Sequence, residues 1–194
     1  MQLVGDMITH MMQLAYPALL VVYMASLTLQ KKRALGAGDA PDTSDPASHP
    51  AFIACALLWL AALTLPFWTR PLELFPAVPA AIAGTLCFAL GFAVRVAAYR
   101  RLGLMFTYDL GQRARHQLIT GGIYRWMRHP SYVGSTLMLL GLCVVARSWQ
   151  MLVAEIVAVV PPMWVRIRRE EALLARSFGE EWTRYAASTP RFGL

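Results

Sequence analysis

The sequence has few charged residues and very few cysteines. Charged side chains make up 15% of its 194 residues and hydrophobic ones 57%. Because the apolar residues are gathered into blocks, this balance excludes an ordinary soluble domain and is typical of an integral membrane protein. The three cysteines, Cys55, Cys87 and Cys143, lie inside apolar blocks, which excludes a disulfide framework and a CxxC metal site.

Common active-site motifs are also absent. There is no G-x-G-x-x-G after a strand, no P-loop, no G-x-S-x-G elbow and no H-E-x-x-H. The four histidines, His10, His49, His116 and His129, lack metal-ligand spacing, so we predict no metal site. The net charge of +7 comes from basic residues that flank apolar segments. It therefore indicates contact with the lipid bilayer, and we expect no nucleic-acid partner.

Five apolar stretches predict an all-α integral membrane protein with five transmembrane helices, because a helix needs roughly 20 apolar residues to cross a bilayer. The stretches are 11–29, 51–68, 76–99, 131–146 and 148–165. The last two predict a short helical hairpin around Arg147. In the third, Ala80, Gly84 and Gly91 share one face, which predicts the close approach of another helix. We treat 1–194 as one domain, with three spans in 1–99 and the connector, hairpin and C-terminal helix in 100–194.

The basic residues predict the orientation of these helices. With the N-terminus outside and the C-terminus inside, 15 of the 18 Lys and Arg residues fall on the cytoplasmic side. Arg70 and Arg147 fall outside, and Arg95 lies in the third span. After the fifth span, large apolar side chains at helical spacing predict one amphipathic helix that closes over the membrane helices. These side chains are Leu174, Phe178, Trp182 and Tyr185.

Polar residues gather at both ends of the predicted hairpin. They are His116, Tyr124, Arg128, His129 and Tyr132 at the first end and Arg166, Glu170 and Glu171 at the second. Both ends of a two-helix hairpin lie on one side of the membrane, so we expect the two groups to be neighbours. Pro130 suits the first turn of a helix and biases His129 away from the helical region. His129 then lies at a helix entrance, where free backbone N–H groups favour an anion.

Each of these residues also has a structural interpretation. Arg125 marks topology at an inner membrane boundary, and Tyr124, Trp126 and Tyr132 suit an aromatic belt. A pair such as Arg166 and Glu170 stabilises a helix by a few tenths of a kcal/mol. Taken singly, the residues do not identify a site.

Glu155 is harder to explain by structure alone. A carboxylate well inside a span is costly unless it faces protein or water, so Glu155 either lines a substrate cavity or is protonated. Pro161 and Pro162 predict a kink in the same helix.

Two separated motifs resemble one family. They are "HQLITGGIYRWMRHPSYVG" (116–134) and "RIRREEALLARSFGEEWTRY" (166–185), with the apolar hairpin between them. Together they resemble the isoprenylcysteine carboxyl methyltransferase family of membrane enzymes, with its pattern H-x-L-[VI]-x-x-G-x-Y-x-x-x-R-H-P-x-Y-x-G followed by R-x-x-x-E-E and F-G-E-E-[YW]-x-x-Y. The resemblance covers about the last 80 residues. The first three spans agree with the family only in being hydrophobic.

The resemblance implies a methyltransferase that uses S-adenosyl-L-methionine, enclosed between the connector, the hairpin and the C-terminal helix. The implied cofactor-binding residues are His116, Gln117, Leu118, Ile119, Tyr124, Arg128, His129, Pro130, Tyr132, Glu170 and Glu171. It also implies catalytic roles for Arg166 and Glu170, with Arg166 facing the methyl acceptor. Apart from the resemblance, Glu155 and the kink expected at Pro161 and Pro162 favour a route by which the acceptor reaches the site from the bilayer. His129 and Glu170 suit the carboxylate and ammonium of the cofactor, and Leu118 and Ile119 its adenine.

The resemblance leaves the acceptor open. Eukaryotic members methylate prenylated cysteine, whereas this Ala- and Arg-rich chain looks bacterial, so we expect an inner-membrane protein whose active site faces the cytoplasm. Its acceptor is then a lipophilic or small molecule with a carboxylate, amine or thiol. Two other functions remain: a nicotinamide-dependent membrane reductase of the sterol-reductase type, and a non-catalytic membrane scaffold.

Overall fold

The structure is a computed structural model, and it describes Leu3, Met7 and residues 76–102 and 117–193. The two described stretches contain helices and no β-strand. The predicted spans 11–29 and 51–68 lie outside the described residues, as does His116.

Five α-helices form the described part. They are α1 (Ala77–Leu102), α2 (Pro130–Val145), α3 (Trp149–Ala154), α4 (Val160–Phe178) and α5 (Glu180–Ser188), with a 3₁₀ helix at Gly122–Arg125 and a π helix at Glu155–Val159. The predicted third and fourth spans, 76–99 and 131–146, are therefore confirmed as helices α1 and α2.

The predicted fifth span is longer than its apolar part. α3, the π helix and α4 form one continuous helix, Trp149–Phe178, which continues beyond residue 165, where the predicted span ends. In the π helix the N–H of Val160 donates to the carbonyl of Glu155, one residue further back than in an α-helix. This wider turn comes just before Pro161 and Pro162, which have no N–H to donate. A π helix therefore lies directly before the prolines that were expected to kink this helix, and the kink itself stays a prediction.

The predicted single amphipathic helix after the fifth span is wrong. Gly179 has a φ of +50°, a conformation that side-chain-bearing residues rarely adopt, and it separates α4 from α5. Trp182 and Tyr185 on α5 are nevertheless buried, while Leu174 and Phe178 on α4 are half-buried. The apolar stripe therefore continues across the break, and its C-terminal part contacts the 3₁₀ helix through Tyr185 and Arg128 through Trp182.

Glycines bring α1 and α2 into backbone contact. A methyl group built on Gly91 would lie 2.6 Å from the carbonyl oxygen of Gly134, and one on Gly84 would lie 2.6 Å from that of Gly141. Both relations are reciprocal, so neither helix has room for a side chain at these positions. The predicted close approach along the face of Ala80, Gly84 and Gly91 is confirmed.

α2 and α3 form the predicted hairpin. Its turn is made by Ala146, Arg147 and Ser148, with Arg147 at a φ of +55°. The Ser148 hydroxyl accepts from the N–H of Met151 and begins α3. Close to this turn lies an apolar core consisting of Phe88, Met138, Leu142, Cys143, Val145, Ala146 and Met151. The hairpin is thus fixed at its closed end and opens toward residues 130 and 166.

Two of the described helices are long and apolar enough to cross a membrane. They are Val78–Leu102 and Trp149–Phe178, and Pro130–Val145 is a shorter apolar helix between them. On α1, large apolar side chains such as Ile82, Leu86 and Leu90 are exposed. The apolar part of Trp149–Phe178 ends at Val165, and a charged part begins at Arg166.

Replacing Gly91 or Gly134 by leucine is expected to destabilise the protein. The new side chain must push α1 and α2 apart, and overpacking of this kind costs about 1–3 kcal/mol or more. Thermal unfolding of the detergent-solubilised variants would measure the loss. Ala89→Leu, at an exposed position on α1, is the matched control. Equal melting temperatures for Gly91→Leu and Ala89→Leu would contradict the packing described here.

Candidate functional site

The open end of the hairpin holds the polar residues predicted from the sequence. Pro130 is buried and begins α2, while His129 precedes it with φ −123° and ψ 55°, outside the helical region as predicted. The backbone N–H groups of Arg128 and His129 donate to the carbonyls of Pro190 and Arg191, at 3.0 and 3.1 Å. The N–H groups of Arg128 and His129 are therefore used by the chain itself, and an anion at the free N–H groups of the following helix entrance stays a prediction.

The Glu171 carboxylate is the centre of one cluster. Oε1 lies 3.0 Å from Nη1 of Arg128 and 3.1 Å from Nε2 of His129. Arg191 donates from Nε to both carboxylate oxygens at 3.0 Å and from Nη2 to Oε2 at 2.7 Å. Two guanidinium groups and an imidazole thus share one carboxylate, and His129 is only 2% exposed.

This environment lowers the pKa of Glu171. Burial alone would raise the pKa of the carboxyl, but hydrogen bonds from Arg191 and His129 and the charge of Arg128 outweigh burial. The pKa therefore lies below its ordinary value of 4.5. The carboxylate is ionised at neutral pH and acts as a fixed negative charge between its three donors.

A second cluster lies beside the first and is centred on Tyr132. The Tyr132 hydroxyl donates to Oε2 of Glu170 at 2.9 Å and accepts from Nε of Arg166 at 3.0 Å. The rings of His129 and Tyr132 meet edge to face, with their centroids 5.7 Å apart. The two neighbouring carboxylates of α4 therefore have different partners within one compact site.

The loop before α2 is held onto this site by α5. Tyr124 lies in the 3₁₀ helix, is 8% exposed, and accepts at its carbonyl from the Tyr185 hydroxyl at 2.6 Å. Burial, and after it the nearby charge of Glu170, raises the pKa of the Tyr124 phenol. Burial likewise raises the pKa of Tyr185 to about 12. Both phenols are neutral at physiological pH and serve as donors and apolar walls.

Arg128 has one polar atom that the described residues leave without a partner. Its Nη1 binds Glu171, and its guanidinium carbon lies 5.6 Å from the centre of the Trp182 ring. Its Nε is buried and makes no hydrogen bond with any described residue. A buried donor of this kind is costly unless an acceptor binds there.

The structure brings most of the predicted site residues together. These are Tyr124, Arg128, His129, Pro130, Tyr132, Arg166, Glu170 and Glu171. Leu118 and Ile119 are half-buried ahead of the 3₁₀ helix, and Gln117 is exposed. Glu155 is not brought to this group: it is 1% exposed and lies 11 residues before Arg166, about 16 Å along the helix.

Sequence reasoning missed Arg191. Nothing in the local pattern around "TPRFG" marks this arginine, because its partner Glu171 lies 20 residues earlier on another element. The one signal in the sequence was the adjacent pair Glu170 and Glu171, since two carboxylates beside an apolar segment need donors from elsewhere in the chain.

The comparisons with known proteins cover this same region. The profile of the phospholipid methyltransferase family matches residues 79–181. The chain is 32% identical over 114 residues to protein-S-isoprenylcysteine O-methyltransferase of Dictyostelium discoideum, over 54% of this chain and 45% of that protein. It is 35% identical over 107 residues to protein-S-isoprenylcysteine O-methyltransferase A of Arabidopsis thaliana, over 54% of each. The chain thus spans about half the length of the curated relatives it matches.

A solved structure has the same fold. The eukaryotic intramembrane Ras methyltransferase, an isoprenylcysteine carboxyl methyltransferase, superimposes with a TM-score of 0.54 at 22% identity, over 77% of this chain and 53% of that one. The resemblance found in the sequence is confirmed. The family match begins at residue 79, so it includes the third span, which we had expected to agree only in hydrophobicity.

Acid is expected to weaken the Glu171 cluster. Because the folded-state pKa lies below the unfolded value, the carboxylate stabilises the fold fully above about pH 4.5, and this contribution is lost as the pH falls through the folded pKa. At pH 7, Glu171→Gln should unfold with a free energy lower by roughly 1–3 kcal/mol, since Arg128 and Arg191 lose their counter-ion.

Melting temperatures of detergent-solubilised protein between pH 7 and pH 3.5 would test this expectation. The parent and Glu171→Gln should converge toward the acid end, whereas Glu181→Gln, at an exposed position, should follow the parent throughout. A parent and Glu171→Gln that differ equally at every pH would show that the carboxylate does not carry the predicted charge effect.

Proposed function

The chain belongs to the phospholipid methyltransferase family, and we propose that it is an integral membrane enzyme that transfers a methyl group from S-adenosyl-L-methionine to a lipophilic acceptor. The observation that supports this most directly is the site at the open end of the hairpin. There the residues of two motifs 50 positions apart, at 116 and 166, form one buried polar site. The alternatives of a reductase and a scaffold have no comparable support.

The donor groups of the site suit the two charged ends of the cofactor. S-adenosyl-L-methionine carries a carboxylate and an ammonium on its amino-acid part. The buried Nε of Arg128 would donate to the carboxylate, which removes the cost of an unpaired donor. Glu170 would accept from the ammonium, because the Tyr132 hydroxyl binds Oε2 and no described residue is hydrogen-bonded to Oε1. Leu118 and Ile119, with the buried ring of Tyr124, would form the apolar slot for adenine.

His129 takes a different part from the one we expected. Its Nε2 lies 3.1 Å from Oε1 of Glu171, so this carboxylate orients the imidazole, and only Nδ1 would remain for the cofactor. The carboxylate end is then bound chiefly by Arg128. His129, edge to face with Tyr132, would form the wall between the two clusters.

Methyl transfer requires alignment and exclusion of water more than acid-base chemistry. The bound cofactor supplies a methyl group already activated on a sulfonium, so no covalent protein nucleophile is needed. The chain contributes groups that are held in place: the Tyr132 hydroxyl links Arg166 to Glu170, accepting from the first and donating to the second. His129 and Tyr124 are 2% and 8% exposed, so these two side chains shield their part of the site from water.

Arg166 would orient the methyl acceptor. Arg166 directly follows the apolar part of its helix, so its guanidinium would lie at the boundary between the lipid-facing segment and the polar site. A lipophilic acceptor that enters from the bilayer would reach this boundary first. A carboxylate acceptor would be held bidentately by this guanidinium, while a thiol or an amine would need to lose a proton first. The relatives are named for isoprenylcysteine, which is lipophilic, and the acceptor proposed here is lipophilic too. We propose that it reaches the site from the bilayer and that Glu155 is a second polar residue on this route.

The proposed location is the cytoplasmic side of a bacterial inner membrane. The exposed basic residues of the described region, such as Arg125, Arg169 and Arg184, cluster near the same end of the helices as the site. That distribution agrees with the excess of Lys and Arg found in cytoplasmic loops.

Calorimetry and a labelling assay together test the proposed function. The detergent-solubilised protein should bind S-adenosyl-L-methionine and show no binding of a reduced nicotinamide. With cofactor labelled in its methyl group, membranes and extracted lipids should yield a labelled product that partitions into the organic phase. Binding of the nicotinamide in place of S-adenosyl-L-methionine would replace the proposed enzyme by the reductase, and label found exclusively in water-soluble products would overturn the lipophilic acceptor.

Glu170→Gln is expected to weaken cofactor binding about 10- to 100-fold, because it removes the charge that faces the ammonium while keeping the size of the side chain. The matched control is Glu180→Gln, an exposed glutamate on α5, which should bind as the parent does. Calorimetric Kd values decide the matter. Equal Kd values for the parent and Glu170→Gln would remove Glu170 from the binding site.

A further inference from the structure

Arg191 lies outside both sequence motifs, yet it contacts the site through its side chain and its backbone. Its guanidinium binds both oxygens of Glu171, with the shortest distance 2.7 Å. Its carbonyl accepts from the His129 N–H at 3.1 Å, and the neighbouring Pro190 carbonyl accepts from the Arg128 N–H at 3.0 Å. The 189–193 segment therefore holds residues 128 and 129 by the backbone as well as through Glu171.

The carboxylates of Glu170 and Glu171 differ in the number of hydrogen-bond partners that their oxygens have. Oε1 of Glu171 faces Arg128 and His129, and Arg191 contacts both of its oxygens. Glu170 is hydrogen-bonded at Oε2 by the Tyr132 hydroxyl. A carboxylate whose lone pairs are already used has little capacity for a ligand, so Glu171 is suited to hold other residues in place.

We propose that Arg191 is a positioning residue of the cofactor site: it fixes Glu171, and through Glu171 it sets the orientation of Arg128 and His129. The proposal rests on the proposed function, and it goes beyond the family's motifs, which end before this residue. Arg191 contacts Glu171 and the backbone of His129 but is not itself placed against the cofactor or the acceptor, so its effect on the reaction is indirect.

An arginine is required at this position by geometry. A guanidinium donates two parallel hydrogen bonds to a carboxylate, whereas a lysine ammonium acts as a point charge. The Arg191 guanidinium also lies 5.4 Å from the centre of the Trp164 ring, and the ring of Phe192 lies 6.2 Å from the same indole. These contacts hold the plane of the guanidinium, and a lysine would lose the bidentate pair while keeping the charge.

Arg191→Lys and Arg191→Gln test the proposal in the full-length, detergent-solubilised protein. Both should raise KM and Kd for S-adenosyl-L-methionine by roughly tenfold or more, with kcat little changed, because the residues they release bind the cofactor in the ground state and the transition state alike. Loss of folded protein would instead lower the apparent kcat at constant KM. Arg184→Gln, an exposed arginine on α5, is the matched control.

Two further measurements test the same proposal: the cofactor affinity of a double variant that combines Arg191→Gln with Glu171→Gln, and the pH dependence of cofactor affinity in Arg191→Gln. If Arg191 acts through Glu171, the double variant Glu171→Gln/Arg191→Gln should bind the cofactor no more weakly than the weaker single variant. In Arg191→Gln the fall of cofactor affinity with acid should begin at a higher pH than in the parent, since Arg128 and His129 alone then face the Glu171 carboxylate. Additive losses in the double variant would overturn the proposal.

The outcomes separate this proposal from the proposed function. A parent that fails to bind S-adenosyl-L-methionine overturns both. A parent that binds it, with an unchanged Kd in Arg191→Lys, overturns the role of Arg191 alone. If Arg191→Gln is not recovered folded, Arg191→Lys decides, because it keeps the positive charge beside Glu171.

Discussion

The shared carboxylate of Glu171 is the interaction on which the site depends. It lies on α4 and binds Arg128 and His129 from the loop before α2 and Arg191 from the 189–193 segment. Two guanidiniums placed this close together repel unless an anion lies between them. A single ionised side chain therefore ties three separate parts of the chain, in addition to the backbone hydrogen bonds that hold residues 128 and 129 and the bond from Tyr185 to the Tyr124 carbonyl.

The Glu171 cluster lies next to the start of α2, and α2 is held at a fixed distance from α1. The reciprocal glycine contacts of Gly84 with Gly141 and of Gly91 with Gly134 set the spacing of α1 and α2 by backbone against backbone. Packing of this kind provides stability where lipid supplies no hydrophobic driving force between helices. Because the same α2 begins at Pro130, next to His129, the position of the site follows from helix packing one to three turns away.

The parts of the fold that follow local rules could be predicted from the sequence. The lengths of the apolar stretches predicted α1 and α2, and the small residues of α1 predicted the face that contacts α2. Because both ends of a hairpin lie on the same side, the sequence also predicted that Tyr132 and Glu170 are neighbours. The break at Gly179 could not be found this way, since the apolar spacing from Leu174 to Tyr185 continues through it. Arg191 was missed for a different reason: its role depends on where the chain returns, which no spacing encodes.

The adjacent carboxylates show how one dipeptide can supply both structure and chemistry. Consecutive residues on a helix point about 100° apart, so Glu170 and Glu171 cannot face the same partners. Glu171 meets Arg128, His129 and Arg191, whereas Glu170 accepts from the Tyr132 hydroxyl, which in turn accepts from Arg166. A carboxylate that binds cations of the protein stabilises the site, and under the proposed function the carboxylate held by a hydroxyl is the one that accepts from the ammonium of the cofactor. The separation of these two tasks comes from helix geometry and from the partners that each face meets.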